Sequence, residues 1–119
     1  MTGIELLETY PKAGQVIKQW FLEQMINSLS DKNLPEDFKN YVKEQDIDND
    51  KIGKLIELSP RALYDVFDDH KIIIDITYFQ GPTFWFSINC AVDDGKFNTR
   101  KECEKAAIKK AFELLNEKL

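Results

Sequence analysis

Two segments decide the fold class of this chain: residues 72–79, which read IIIDITYF, and residues 84–91, which read FWFSINCA. Apolar side chains recur at every second position in both segments. A helix cannot satisfy this spacing, whereas a strand with one buried face requires it. The two segments therefore predict antiparallel strands. In the second strand we expect the core-facing set to be Phe84, Phe86, Ile88 and Cys90.

Turn residues separate these strands and follow them. Gln80-Gly81-Pro82 lies between the two segments and predicts the first turn. Asp94-Gly95 is a dipeptide typical of a tight hairpin, so we expect a short third strand at residues 96–98. The region thus predicts a meander of two to three strands.

Residues 99–119 predict an amphipathic helix behind the sheet. Thr99 and Glu102 have the spacing of a capping box, in which each side chain satisfies an open backbone donor at the helix start. Apolar residues follow at helical spacing. We expect the buried side to contain Cys103, Ala107, Ile108, Ala111, Phe112, Leu114 and Leu115, and the solvent side to contain Lys105, Lys109, Glu113 and Asn116.

The first 70 residues predict helices only. A short helix or ordered lead-in at residues 4–10 precedes about four helices: residues 11–30, a shorter helix that begins at Pro35, residues 49–58, and a helix that Ser59 caps and Pro60 opens. The fold class is therefore α+β. Residues 1–119 are expected to form a single domain, with a helical portion at 1–70 and a ββ(β)α portion at 71–119.

Composition limits the classes of function. No stretch is long and apolar enough for a membrane span, and no secretory signal precedes the first helix, so we expect a cytoplasmic protein. Cys90 and Cys103 are both predicted to be buried thiols rather than a disulfide or a metal pair. The net charge is −5, with −6 in residues 1–70 and +1 in residues 71–119. The acidic portion disfavours contact with nucleic acid.

One pattern could hold a cation. Asp46, Asp48, Asp50 and Glu57 occupy positions 1, 3, 5 and 12 of a sequence that resembles a calcium-binding EF-hand loop. Lys51 stands at position 6, where that loop needs a glycine for its sharp turn. We therefore expect a solvated linker in which an aspartate caps the next helix, and no bound metal.

Residues 52–67 resemble the helix-turn-helix of bacterial transcription regulators, through the sequence Leu-Ser-Pro-Arg-x-Leu that opens the second helix. The resemblance implies that this helix presents side chains to DNA. Arg61 suits that role. Asp65, Asp68 and Asp69 would bring negative charge to the duplex, and the alternative is an ordinary pair of packed helices.

Residues 81–115 resemble the C-terminal half of a double-stranded RNA-binding domain, with TRKECEKAAIKKA at the start of the final helix. The resemblance implies that Arg100 and Lys101 contact phosphates. Glu104 replaces a lysine of that family. The candidate nucleic-acid contacts, on the 99–110 helix or on the 52–67 helix pair, are Arg61, Arg100, Lys101, Lys105 and Lys109.

Catalytic chemistry has little support in the sequence. His70 is the only histidine, and no nucleophile motif, phosphate-binding glycine loop or metal-ligand spacing accompanies it. An enzyme would need carboxylates that converge around His70 or Asp75. We expect no enzymatic activity and no cofactor.

Phe79 and Trp85 are the best candidates for a partner surface. Both lie on the second face of the predicted hairpin, which is either covered by the N-terminal helices or open to a partner protein. Layer packing favours coverage. As a whole the chain resembles small uncharacterised accessory proteins of bacteriophages and mobile elements. The function we expect is non-catalytic binding of another protein, with nucleic-acid binding as the alternative; the oligomeric state stays open.

Overall fold

The computed structural model describes residues 2–30, 48–79, 83–93 and 95–119. These ranges contain helices α1 (Gly3–Thr9), α2 (Pro11–Ser30), α3 (Asn49–Leu58), α4 (Leu63–Asp69) and α5 (Arg100–Lys118), a 3₁₀ turn at Pro60–Ala62, and strands β1 (Ile74–Phe79), β2 (Thr83–Ile88) and β3 (Ala91–Val92). The α+β class predicted from the sequence is confirmed.

The C-terminal helix α5 is the element on which the others pack. The sheet contacts it through β1 and β2, while α2 and the 3₁₀ turn contact it as well. One cluster of buried side chains runs from Leu6 through Phe67 and Phe86 to Leu115, so both portions of the chain share a core. The buried positions of α5 follow the predicted stripe with two differences: Glu104 is also buried, and Leu114 is only partly buried.

The sheet is an antiparallel meander in the order β1-β2-β3. Ile76 pairs with Phe86, and Ile74 pairs with Ile88. Phe86 and Ile88 are buried in the core shared with α5, as their alternation predicts, and Phe84 is partly buried there. One face of the sheet is therefore a core face.

The second turn of the meander is not where the sequence placed it. β2 ends at Ile88, and Asn89 and Cys90 both have positive φ, of 53° and 69°, in a two-residue turn into Ala91–Val92. Two consecutive positive φ values match the right-handed twist of a hairpin, which is why Asn-Gly usually fills such turns. Here cysteine stands in the glycine position, so residue type did not indicate the turn.

This turn also corrects the prediction for Cys90, which is exposed; Cys103 is buried as predicted. The expected strand at residues 96–98 is reduced to a single bridge between Phe97 and Phe84. Gly95 donates its N–H to Asp93 Oδ1. The predicted turn at residues 80–82 lies outside the described residues, as does the helix predicted to begin at Pro35.

Helices α1 and α3 cross at two glycines. A Cβ atom on Gly3 would lie 2.2 Å from the carbonyl oxygen of Gly53, a distance no side chain can occupy. Thr2 and Glu5 form a capping box at the start of α1, and Glu57 Oε1 accepts the N–H of Gly3 at 3.1 Å. The lead-in predicted at residues 4–10 is therefore a helix fixed against α3.

The connection from α3 to β1 departs from the predicted cap. Ser59 makes no side-chain capping hydrogen bond, and Pro60 opens a 3₁₀ turn rather than the α-helix itself. At the other end of α4, Lys71 adopts φ 61°, and the Ile72 N–H bonds the Phe67 carbonyl at 2.8 Å. This is a Schellman ending with lysine at the usual glycine position. It turns the chain into β1.

Asn116 does not face solvent as predicted but caps another helix. Its Oδ1 accepts the N–H groups of Lys12 at 2.9 Å and Ala13 at 3.2 Å, in the first turn of α2. Pro11 has no N–H to satisfy, so one side chain of α5 serves the two donors that follow it. The cap thus links the two longest helices.

We predict that Asn116→Ala lowers the free energy of unfolding by about 1 kcal/mol, the usual cost of losing a helix cap. Asn116→Asp keeps the acceptor and places a negative charge at the helix start, so it should retain that stability. Urea unfolding followed by circular dichroism measures both. Asn98→Ala, at an exposed asparagine, is the control; an equal effect at both positions would contradict the cap.

Candidate binding surfaces

Arg61, a candidate DNA contact, lies in an ion pair with Glu104. The Arg61 Nε atom is 3.3 Å from Glu104 Oε2, and the side chains are 67% and 11% exposed. Tyr64 donates its hydroxyl to the same oxygen at 3.2 Å. The carboxylate therefore joins α5 to the 3₁₀ turn and to α4, and Arg61 is used, at least in part, within the fold.

Burial raises the pKa of the Tyr64 hydroxyl, and the charge of Glu104 and its hydrogen bond raise that pKa further. Burial likewise raises the pKa of the Cys103 thiol. Sequence reasoning missed Glu104 as a buried residue. The available signal was its spacing, because positions 104, 108, 111 and 115 lie on one side of a helix.

Arg100 packs against an aromatic ring. Its guanidinium carbon lies 5.7 Å from the centroid of Phe84, within the range of a cation–π contact. The Phe84 ring also contacts Tyr78, with centroids 5.1 Å apart. Two of the five candidate nucleic-acid contacts, Arg61 and Arg100, thus take part in contacts within the protein.

The other three candidates form a row along α5. Lys101, Lys105 and Lys109 are four residues apart and exposed, and none makes an ion pair with a described residue. By contrast, Lys110 lies 3.6 Å from Glu113 on the same helix. We call the three residues the lysine row; it is a local positive surface on an acidic protein.

The helix pair at 52–67 presents a different charge. Leu63, Val66 and Phe67 of α4 are buried. Asp65, Asp68 and Asp69 are on its exposed side. Negative charge on that side repels a phosphate backbone, so α4 is poorly suited to enter a DNA groove.

A small cavity lies where α1, α3 and α5 meet, next to the lysine row. It encloses about 60 Å³. Its walls are apolar toward the core and charged toward solvent, and they comprise Gly3, Leu6, Ile56, Glu57, Pro60, Lys101, Glu104, Lys105 and Ile108. No sequence pattern indicates this cavity, because its walls come from three separate segments.

The second face of the sheet carries the predicted partner surface. Trp85 is partly buried, and Phe79 is the last residue of β1, with its side chain outside the description. On this face Ile73 is 49% and Val92 is 63% exposed. Among the described helices, only α5 packs extensively on the sheet, from the opposite side. The described N-terminal helices pack on α5 and on one another. Because the helix predicted to begin at Pro35 lies outside the described residues, the coverage favoured above stays a prediction.

Two of the four residues of the possible cation loop, Asp48 and Glu57, make other contacts. Asp46 lies outside the described residues. Asp48 caps α3 by accepting the Asp50 N–H at 3.1 Å, as predicted for a linker aspartate, and Glu57 accepts from Gly3. Across the described residues, no group of three His, Cys, Asp or Glu side chains is placed to hold a metal ion.

The two positions considered for an enzyme do not line one pocket. His70 lies beside Asp69 in an open groove between α2 and α4. Its backbone carbonyl accepts a hydrogen bond from Lys118 Nζ. Asp75 is exposed on β1 and does not line that groove. Two carboxylates, Glu23 and Asp69, share the lining of this groove with His70. The expectation of no enzymatic activity stays a prediction.

Comparison of the chain with protein-family models, curated proteins and solved structures gave no match. Within the described part of the chain, no helix has both the length and the apolar character of a membrane span. Function must therefore be argued from the surfaces themselves.

We predict that Tyr64 ionises at higher pH than a solvent-exposed tyrosine. Because its folded-state pKa lies above the unfolded-state value of 10.0, Tyr64 stabilises the fold at neutral pH, and this stabilisation is lost as pH rises above about 10. Glu104→Gln removes the negative charge, so the Tyr64 pKa should fall. A titration of tyrosinate absorbance measures this, with Tyr64→Phe to assign the late step. Exposed Glu102→Gln is the control, and an equal shift there would contradict the assignment.

Proposed function

We propose that this chain is a non-catalytic protein-binding module that takes an extended segment of a partner protein along the outer edge of β1. The observation that carries the proposal is an edge strand whose outer side pairs with no described strand, beside a sheet face on which no described helix packs extensively. The predicted partner residues, Phe79 and Trp85, belong to this same sheet. A cytoplasmic location and an origin in phages or mobile elements stay predictions.

The backbone of β1 supports strand addition. Ile73 directs its backbone toward β2, since its carbonyl accepts the Asn89 N–H at 2.9 Å. Hydrogen bonding alternates along an antiparallel pair, so the N–H and C=O groups of Ile74, Ile76 and Tyr78 point away from β2. No described strand pairs with that side. Three residues can therefore bond an added strand.

The side chains of β1 do little to block such an addition. Edge strands are usually protected by charged residues, proline or a bulge. β1 reads IDITYF and contains one charge, Asp75, with regular pairing along all six residues. Ile73 and Tyr78 lie on opposite faces of the sheet; Ile73 is exposed, and Tyr78 is 59% exposed. Because successive side chains of an added strand also point to opposite faces, they could contact both residues.

A different protein fits this edge better than a second copy of the chain. Ile73, Tyr78 and Val92 provide few exposed apolar side chains, whereas a stable dimer buries about 800 Å² on each partner. Two copies would also each bring a net charge of −5. Main-chain hydrogen bonds to a short segment need neither a large area nor self-attraction.

We predict that Ile76→Pro weakens binding of an extended peptide about tenfold relative to Ile76→Ala. Both variants lose the isoleucine side chain, but only proline removes the outward N–H, and proline is tolerated where that group faces solvent. Peptides selected from a random library against the wild-type chain supply the probe, and calorimetry gives their Kd. Equal binding by the two folded variants would overturn the strand-addition mode.

Hydrogen exchange provides the second measurement. The amides of Ile74, Ile76 and Tyr78 should exchange faster than those of Asp75 and Thr77 in the free chain, and should become protected when the selected peptide binds. Protection in the free chain would show that the edge is already covered. Gel filtration would reveal pairing between copies. Either result contradicts the proposal.

The lysine row favours nucleic-acid binding as the second candidate. Each lysine that neutralises one phosphate contributes about 1 to the slope of log K against log salt concentration. We predict that Lys109→Gln reduces this slope by that amount for a short RNA duplex, while exposed Lys54→Gln does not. Fluorescence anisotropy at several salt concentrations measures it. The absence of binding at low salt would eliminate this candidate.

A further inference from the structure

We propose that the cavity between α1, α3 and α5 is a binding site for a short branched aliphatic carboxylate. The ligand inserts its alkyl group between the helices and directs its carboxylate to Lys101 and Lys105. The site shares no residue with the edge of β1, so it is independent of the strand-addition proposal.

The inner wall of the cavity is apolar, which favours an alkyl group on the ligand. Leu6, Ile56 and Ile108 line it, one from each helix, and they are 5%, 3% and 2% exposed. These side chains offer methyl groups and no hydrogen-bond partner. The volume of about 60 Å³ between these side chains suits a small branched alkyl group.

The residues of the outer wall determine which charge the polar group of the ligand carries. Lys101 and Lys105 lie one helical turn apart, and neither makes an ion pair with a described residue. The two carboxylates in the same wall already have donors. Glu57 accepts the Gly3 N–H, and Glu104 accepts from Arg61 and Tyr64. Since Arg61 pairs with Glu104, the wall keeps two lysines against the charge of Glu57, and this excess of positive charge favours an anionic ligand.

The cavity is held open by contacts between the elements that form its walls. The two glycines bring α1 against α3 so closely that no side chain fits between them. The Glu104 ion pair holds the 3₁₀ turn to α5. A preformed cavity requires little ordering on binding, which favours small ligands.

Two sources supply this chemistry: a free branched-chain acid, and the C-terminal carboxylate of a protein that ends in leucine. Isovalerate represents the first source and N-acetyl-leucine the second. Isovaleramide has the same alkyl group without the charge, and acetate has the charge without the alkyl group. These four compounds separate the two halves of the site.

The test is a titration of the full chain with each compound, followed by two-dimensional NMR. We expect at least one of the two branched acids to shift the signals of Leu6, Ile56 and Ile108, with a Kd on the order of millimolar. Isovaleramide and acetate should bind at least about tenfold more weakly. Stronger binding of one branched acid identifies the source.

Paired charge variants test the lysines. The double variant Lys101→Gln/Lys105→Gln should lose at least about fivefold in affinity, because one helical turn of α5 then offers no cation to the ligand. The double variant Lys12→Gln/Lys109→Gln makes the same change in net charge at exposed positions outside the cavity wall. Both variants should keep the wild-type circular dichroism spectrum.

Three results would overturn the proposal. They are the absence of shifts with both branched acids, equal binding of acetate or isovaleramide, and equal losses in the two double variants. A peptide that still protects the β1 edge in the Lys101→Gln/Lys105→Gln variant would show that the strand-addition site is unaffected. The two proposals can therefore fail separately.

Discussion

The edge-to-face contact between Phe67 and Phe112 is the interaction on which the rest of the structure depends. The two ring centroids are 5.8 Å apart, and neither side chain is exposed. Phe112 also approaches Tyr10, at 6.5 Å, so it joins α4, α5 and the junction of α1 with α2. Removing this ring would leave a large cavity at the point where three segments meet.

Small side chains let α5 serve as the central element. Cys103, Ala107 and Ala111 are fully buried along it, and short side chains allow neighbouring elements to approach its backbone closely. The sheet takes one side of this helix and the helical portion takes another. Since only one face of a three-stranded sheet can be covered by one helix, the described elements leave the second face without a packed layer.

Three polar side chains that could otherwise bind a ligand connect elements of the fold. Glu104 connects α5 to the 3₁₀ turn and α4, Asn116 connects α5 to α2, and Glu57 connects α3 to α1. The same contacts explain which groups remain for a ligand. Among the described residues, the lysine row and the outer backbone of β1 are two features that these pairings leave available, and the proposals rest on them.

Local sequence patterns predicted the alternation in β1 and β2, the Thr99 cap and the apolar stripe of α5. A repeat of apolar residues specifies which face of a strand or helix is buried. The sequence by itself therefore determined the fold class, most helix and strand positions and the core face of the hairpin. Contacts between distant segments have no periodic signature. Only the tertiary structure decided that Glu104 pairs with Arg61 and Tyr64, that Asn116 caps α2 and that Asn89-Cys90 forms the turn. Each depends on a partner or a backbone conformation that residue type alone does not specify.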